Sequence, residues 1–126
     1  MKALGYTMFV GDYPDLQIET SVGLRYKPDL VARDEHGRFT IWGECGQVSM
    51  RKIGWLLKHA RVEHLVIFKI AVAVLPLIEE LRAEVAPKYR APGRVEIVNF
   101  VSNIVELTLD RHVPYVPFEW YTTHIV

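Results

Sequence analysis

The sequence predicts an α/β domain, a mixed β-sheet with helices packed on it, and three observations carry that expectation. Residues 64–71 form an apolar, β-branched run of strand length, the pattern of a strand buried on both faces. Ahead of it, Ile53, Leu56, Leu57 and Ala60 recur at helical spacing. Two further strand-like segments, 29–33 and 38–45, flank Asp34-Glu35-His36-Gly37, a composition suited to a hairpin turn. Strands, helix, strand and helix in that order place helices against a sheet.

Taken in order, residues 4–10 read as a strand, stopped by the turn-like Gly11-Asp12-Tyr13-Pro14-Asp15. Residues 16–25 fit either a second strand or a short helix. After the hairpin, Ser49 can N-cap a helix from Met50 to about Arg61. Pro76 suits the first turn of a second helix with Leu77, Ile78, Leu81 and Val85 as its buried stripe, and Pro87 ends it. Residues 94–101 and 104–110 alternate as strands, with Ser102-Asn103 as a two-residue turn. The segment 113–120 carries Pro114, Tyr115, Pro117, Phe118 and Trp120. Proline breaks ladder pairing, so this segment is expected as a strap across the fold. The alternative is docking of these aromatics on a second subunit, which would make the protein a homodimer through its tail.

The 126 residues, 50% of them hydrophobic, are one domain's worth, here taken as 1–126. Apolar residues are too plentiful for disorder, and a lone Cys45 cannot make a disulfide within the chain, which fits a reducing, cytoplasmic setting. No apolar run reaches the ~18 residues needed to span a bilayer, and no signal-peptide layout opens the sequence, so no membrane partner is expected. The net charge of +0 conceals an asymmetry: between Arg25 and Lys69 nine basic residues face five acidic ones. That basic centre permits an anionic partner.

The most informative residues are Pro28-Asp29 and, across the hairpin, Glu44-Cys45-Gly46-Gln47. A two- or four-residue turn pairs Arg33 with Arg38, Val31 with Thr40 and Asp29 with Trp42. Alternation then makes Asp29 and Glu44 diagonal neighbours on one face, with Cβ atoms roughly 7–8 Å apart. Two carboxylates so placed can bracket a divalent cation with ~2.1 Å Mg–O bonds, and the Cys45 carbonyl can add a ligand while its thiol points into the core. Such an ion lowers the pKa of a bound water and neutralises charge growing on a phosphate. Alternatively, Asp29 only shapes a turn and Glu44 only forms a surface pair. In the following helix Arg51, Trp55 and Lys58 lie within about 60° of one another, opposite the apolar face. Cations interleaved with an aromatic suit a nucleic-acid backbone. Arg51 and Lys52 also stand in the first turn, where the helix dipole favours an anion beside them. The alternative is a solvated face with Trp55 tucked against a neighbour.

At these residues the sequence resembles the PD-(D/E)xK nuclease superfamily, with its restriction-endonuclease-like fold. Residues 28–34 and 37–47, Arg51-Lys52-Ile53 and Leu65-Val66-Ile67-Phe68 resemble its YaeQ-like branch, over roughly residues 28–69. The resemblance implies a mixed sheet flanked by helices, Asp29 and Glu44 as ligands for Mg²⁺ or Mn²⁺, and hydrolysis of a phosphodiester by metal-activated water. Two departures stand out. Gly46 occupies the slot of the family's lysine, leaving Gln47 or a side chain from the helix, Lys52 or Arg51, to replace it. Only 27 residues precede Pro28, and Glu19 is the candidate for the acid the family carries in its N-terminal part.

The expected activity is therefore metal-dependent cleavage of DNA. Asp29 and Glu44, with Cys45 and Glu19, would hold the ion; Gln47 and Lys52 would orient water or stabilise charge; Arg51, Trp55 and Lys58 would grip the nucleic acid. Two competing expectations are a catalytically degenerate nucleic-acid-binding or assembly protein on the same fold, and an oligomerising module using the aromatic tail. Cys45 as a nucleophile with His59 or His64 defines a different enzyme class, but a thiol on an apolar strand face is ordinarily an inert core group.

Overall fold

The computed structural model describes residues 1–126. Six strands form one sheet: β1 (Gln17–Ile18), β2 (Leu30–Arg33), β3 (Phe39–Cys45), β4 (Leu65–Ile70), β5 (Val95–Phe100) and β6 (Tyr121–Ile125), neighbouring one another in chain order. The pairs β3–β4 and β4–β5 are parallel and the other three antiparallel, so the sheet is mixed, as expected. Each parallel pair needs a crossover. Helix α2 (Met50–Lys58) and helix α3 (Val74–Glu84) supply them.

Side-chain alternation sorts the core onto the two faces. Val31, Trp42, Leu65, Ile67 and Ile97 pack against Ile53, Leu56 and Leu57 of α2 and Leu81 of α3. Leu30, Ile41, Val66, Phe68 and Phe100 pack against Leu4 of α1 (Lys2–Phe9) and Ile104 of α4 (Ile104–Thr108). Strand β4 is covered on both faces, which explains its unbroken apolar sequence. Ser49 caps α2 as expected, its hydroxyl accepting from the Lys52 N–H at 3.1 Å. At the other end of α2, the Arg94 guanidinium donates to the carbonyls of Leu57 (2.6 Å) and Val62 (2.9 Å), tying the helix to the start of β5.

Three expectations are corrected. Residues 4–10 belong to a helix, not a strand: the buried Leu4 and Gly5 seat α1 on the sheet, and a Cβ on Gly5 would come within 2.8 Å of Leu30 and Phe68. Of residues 16–25 only Gln17–Ile18 pair as a strand. Residues 104–110 are not the return strand of a hairpin. Ile104–Thr108 is helical, with Ile104 buried and Val105 and Leu109 exposed. The antiparallel partner of β5 is β6, from the very end of the chain. The segment 113–120 does pack on its own fold, through Val113, Val116 and the buried Trp120, and leaves Tyr115 and Phe118 in solvent.

The β2–β3 register also differs from expectation. Val31 pairs with Trp42, not Thr40, and Leu30 with Gly43, with a bulge between Ala32 and Arg33. The turn and the bulge together are the cause. The Asp34 carboxylate accepts from the N–H groups of His36 and Arg38 (both 2.9 Å), and Gly37 takes a φ of +78°. This turn slides β3 by one residue, pairing Arg33 with Phe39, and the bulge adds the second. A slide of two preserves the faces, so Asp29 now lies beside residues 43–45.

Candidate functional site

The site forms where β2 begins and β3 ends. Glu44 continues the Trp42 face of β3 and is 4% exposed, the one buried charged residue of the protein. Its Oε1 accepts from the Trp42 indole N–H at 2.9 Å and lies 2.7 Å from the Lys52 ammonium. Lys52 reaches it from the first turn of α2, where the Ser49 cap fixes the helix start. Asp29 stands one residue ahead of β2; its N–H donates to the Gly43 carbonyl at 3.1 Å. Its carboxylate folds over the β3 backbone, with Oδ2 accepting from the Cys45 N–H at 2.7 Å and Oδ1 3.3 Å from the Lys2 ammonium. Lys2 also bonds Glu19, whose own N–H donates to the Asp29 carbonyl at 2.9 Å. That pairing raises the Lys2 ammonium above its ordinary pKa and holds the Glu19 carboxyl below its own.

Beyond Glu44 the chain leaves the sheet through Gly46, whose φ of +82° is open to glycine and strained for an L side chain. Glycine at position 46 is thus a backbone requirement of this turn. Lys69, from β4, donates to the Gly46 carbonyl at 2.6 Å and is shifted downward by burial. Burial, followed by the charge of Asp29, pushes the Cys45 thiol up to about 12, which leaves it a protonated core group and no nucleophile.

The structure thus places two separate pairings at this strand end, Asp29 with the Cys45 N–H and Lys2, and Glu44 with Lys52 and the Trp42 indole. Glu19 joins only through Lys2, and Gln47 is exposed with a side chain that makes no hydrogen bond. No three His, Cys, Asp or Glu side chains are grouped to hold a metal ion, so Glu19 does not complete a ligand trio with Asp29 and Glu44. In kind, two carboxylates and a backbone carbonyl are the hard oxygen donors Mg²⁺ and Mn²⁺ take. Mg²⁺ needs only one or two carboxylates when water and phosphate complete its shell.

On the outer face of α2, Arg51, Trp55 and Lys58 line a single cleft of about 550 Å³ with Arg25, Glu84 and Tyr89. Tyr26 connects the cleft to the acids: its ring lies 5.0 Å from the Lys52 ammonium and edge-on to Trp55 at 5.3 Å, and the Arg25 guanidinium covers both rings. Sequence reasoning missed Lys2, Arg25, Tyr26 and Lys69. Only Lys69 left a signal, a lone charge inside the apolar run of β4. The other three are brought in by α1 and by the loop before Pro28, neither of which has a readable period.

No protein-family model matches the sequence, and neither does any curated protein. Among solved structures the fold matches that of two YaeQ proteins. One, from Xanthomonas axonopodis pv. citri, gives a TM-score of 0.59 at 17% identity over 84% of this chain. The other, from Pseudomonas syringae, gives 0.60 at 14% identity over 97% of this chain. The match spans 56% and 66% of the lengths of those proteins. The class of fold is therefore α/β, a mixed six-stranded sheet between two layers of helices. In particular, it is the fold found in YaeQ proteins. No helix is long and apolar enough to cross a membrane.

Proposed function

We propose that the chain is a metal-dependent nuclease of the PD-(D/E)xK type, hydrolysing phosphodiester bonds in DNA at Asp29 and Glu44. The observation that carries this reading is the Lys52 ammonium, 2.7 Å from Glu44, delivered by the helix where Gly46 leaves the strand without a lysine. Mg²⁺ or Mn²⁺ held by Asp29, Glu44 and the Cys45 carbonyl would supply activated water and charge neutralisation at the phosphate. The protein's own groups do the rest. The Cys45 N–H and Trp42 indole fix the two carboxylates, so neither must reorganise when charge develops. Lys52 carries positive charge to the phosphate oxygens, and Arg51 and Lys58 hold the flanking backbone.

A second reading, a degenerate nucleic-acid-binding protein, is favoured by a separate observation: each carboxylate already faces an ammonium, Asp29 that of Lys2 and Glu44 that of Lys52. Calorimetric titration with Mn²⁺, paired with a DNA cleavage assay, separates the two. The nuclease reading expects a binding heat that Glu44→Gln abolishes and cleavage that Asp29→Ala and Glu44→Ala each abolish. Absence of both, with salt-sensitive DNA binding retained, leaves the degenerate reading.

A further inference from the structure

We infer that the cleft on the outer face of α2 takes one unstacked nucleotide of a single-stranded nucleic acid, with the bare helix backbone at Gly54 as its floor. This rests on the reading of the protein as one that acts on nucleic acid, and it names the form of that substrate.

Gly54 lies in the interior of α2 and lines the cleft. A helix interior is destabilised by glycine relative to alanine, so glycine there needs a reason. The two usual reasons are absent. A Cβ on Gly54 would meet nothing within 4 Å, and its φ is not positive. What the missing Cβ does provide is open space against the helix, between Arg51 and Lys58 and beside the Trp55 ring. At 100° per residue, Arg51, Gly54, Trp55 and Lys58 form one stripe about 100° wide.

The walls fit a flat, anionic ligand. Trp55 and Tyr89 bring two aromatic rings into the lining, on which a base that displaces the Arg25 guanidinium from Trp55 or the Lys88 ammonium from Tyr89 would stack, worth roughly 5- to 150-fold in affinity per base. Arg51 and Lys58 take part in no ion pair of the molecule, and Arg25, also without a carboxylate partner, rests only on the Tyr26 and Trp55 rings. Glu84, on the α3 side, is the single carboxylate of the lining and offers an acceptor for a base N–H such as the thymine N3–H. About 550 Å³ is the scale of a site that encloses one small ligand, not a tract of duplex. In a duplex both faces of each base are already stacked, so neither Trp55 nor the floor could be used without extruding a nucleotide.

The test measures binding of a labelled oligothymidylate, a blunt duplex of matched length and thymidine monophosphate to the intact chain in metal-free buffer, so that Asp29 and Glu44 play no part. Single strand should bind at least tenfold more tightly than duplex. Gly54→Ala should raise the melting temperature by about 2–4 °C while weakening single-strand binding. Gly54→Leu should weaken it at least tenfold without lowering the melting temperature. Duplex binding equal to single-strand binding overturns the inference, as does single-strand binding unaffected by Gly54→Leu. Monophosphate binding as tight as that of the oligonucleotide overturns the strand as the source of the nucleotide. Cleavage lost or absent with single-strand binding intact bears on the nuclease reading alone. Duplex cleavage without single-strand binding removes this inference and leaves the nuclease.

Discussion

Removing the Lys52 ammonium should unfold the protein far more readily than removing a surface lysine would. The Glu44 and Lys52 side chains are 6% and 20% exposed, and their charged atoms are 2.7 Å apart. In Lys52→Met the Glu44 carboxylate keeps only the Trp42 indole N–H and stays shielded from water. Stranding one partner of a buried pair costs about 3 kcal/mol or more. With an unfolding entropy of about 2.1 cal/mol/K per residue, 126 residues give about 0.26 kcal/mol/K, so the melting temperature should fall by about 11 °C. The cycle is completed with Glu44→Gln, which preserves an acceptor for Trp42. In that background Lys52→Met should cost less than about 1 kcal/mol, because no ion is left unpaired. Urea denaturation of the four proteins reads the coupling directly. A loss below about 1 kcal/mol for Lys52→Met alone, the scale of an exposed pair, would refute the reasoning.

Two further outcomes follow from the same strand end. Gly46→Lys should cost about 1–2 kcal/mol by forcing an L side chain into the left-handed region, and thermal melting checks it; a more stable variant would show the turn is not fixed. The Cys45 thiol, pushed from 9.0 up to about 12, should react slowly with thiol reagents in the folded protein and quickly in urea. Its folded pKa is the raised one, so the stability it contributes is complete below pH 9 and is lost as pH climbs toward 12. The difference in urea midpoint between the native chain and Cys45→Ala should shrink across that window, and a constant difference would contradict the assigned burial.

The elements legible in the sequence are those with a period. The helical spacing in α2, the Ser49 cap and the doubly buried run of β4 are all where their residue patterns put them. Elements whose pattern is absent, or too short to decide between strand and helix, are not legible. Residues 4–10 are apolar at nearly every position, which suits strand and helix alike, and only packing of Gly5 against Leu30 and Phe68 decides the matter. Residues 104–109 alternate as Ile-Val-Glu-Leu-Thr-Leu, yet the segment is too short for alternation to outweigh a turn of helix. Strand β6 is an edge strand whose Thr122 and Thr123 face solvent, so it carries no apolar stripe. At the site, Asp29, Glu44 and Lys52 could be brought together on paper because hairpin alternation and helix capping are local rules. The register differs by two residues because the Asp34 side chain builds a turn one residue longer than expected and the bulge between Ala32 and Arg33 adds another. Lys2 was invisible because its approach to Asp29 depends on α1 being a helix.

One helix serves both the acid site and the cleft, and the two cations of its first turn differ in a telling way. Positive charge there opposes the helix dipole by a few tenths of a kcal/mol per residue. Lys52 is compensated within the fold, by Glu44 beneath it and by the Tyr26 ring. Arg51, one residue earlier and turned outward, is exposed and has no carboxylate partner. The same Ser49 cap that aims Lys52 at Glu44 therefore holds Arg51 at the mouth of the cleft, where the helix N-terminus and the guanidinium add to a common positive field. An anion bound there would find its charge complemented by groups whose positions are already set by the Lys52–Glu44 pair. Loosening that pair should then weaken anion binding at Arg51 as well as the fold itself.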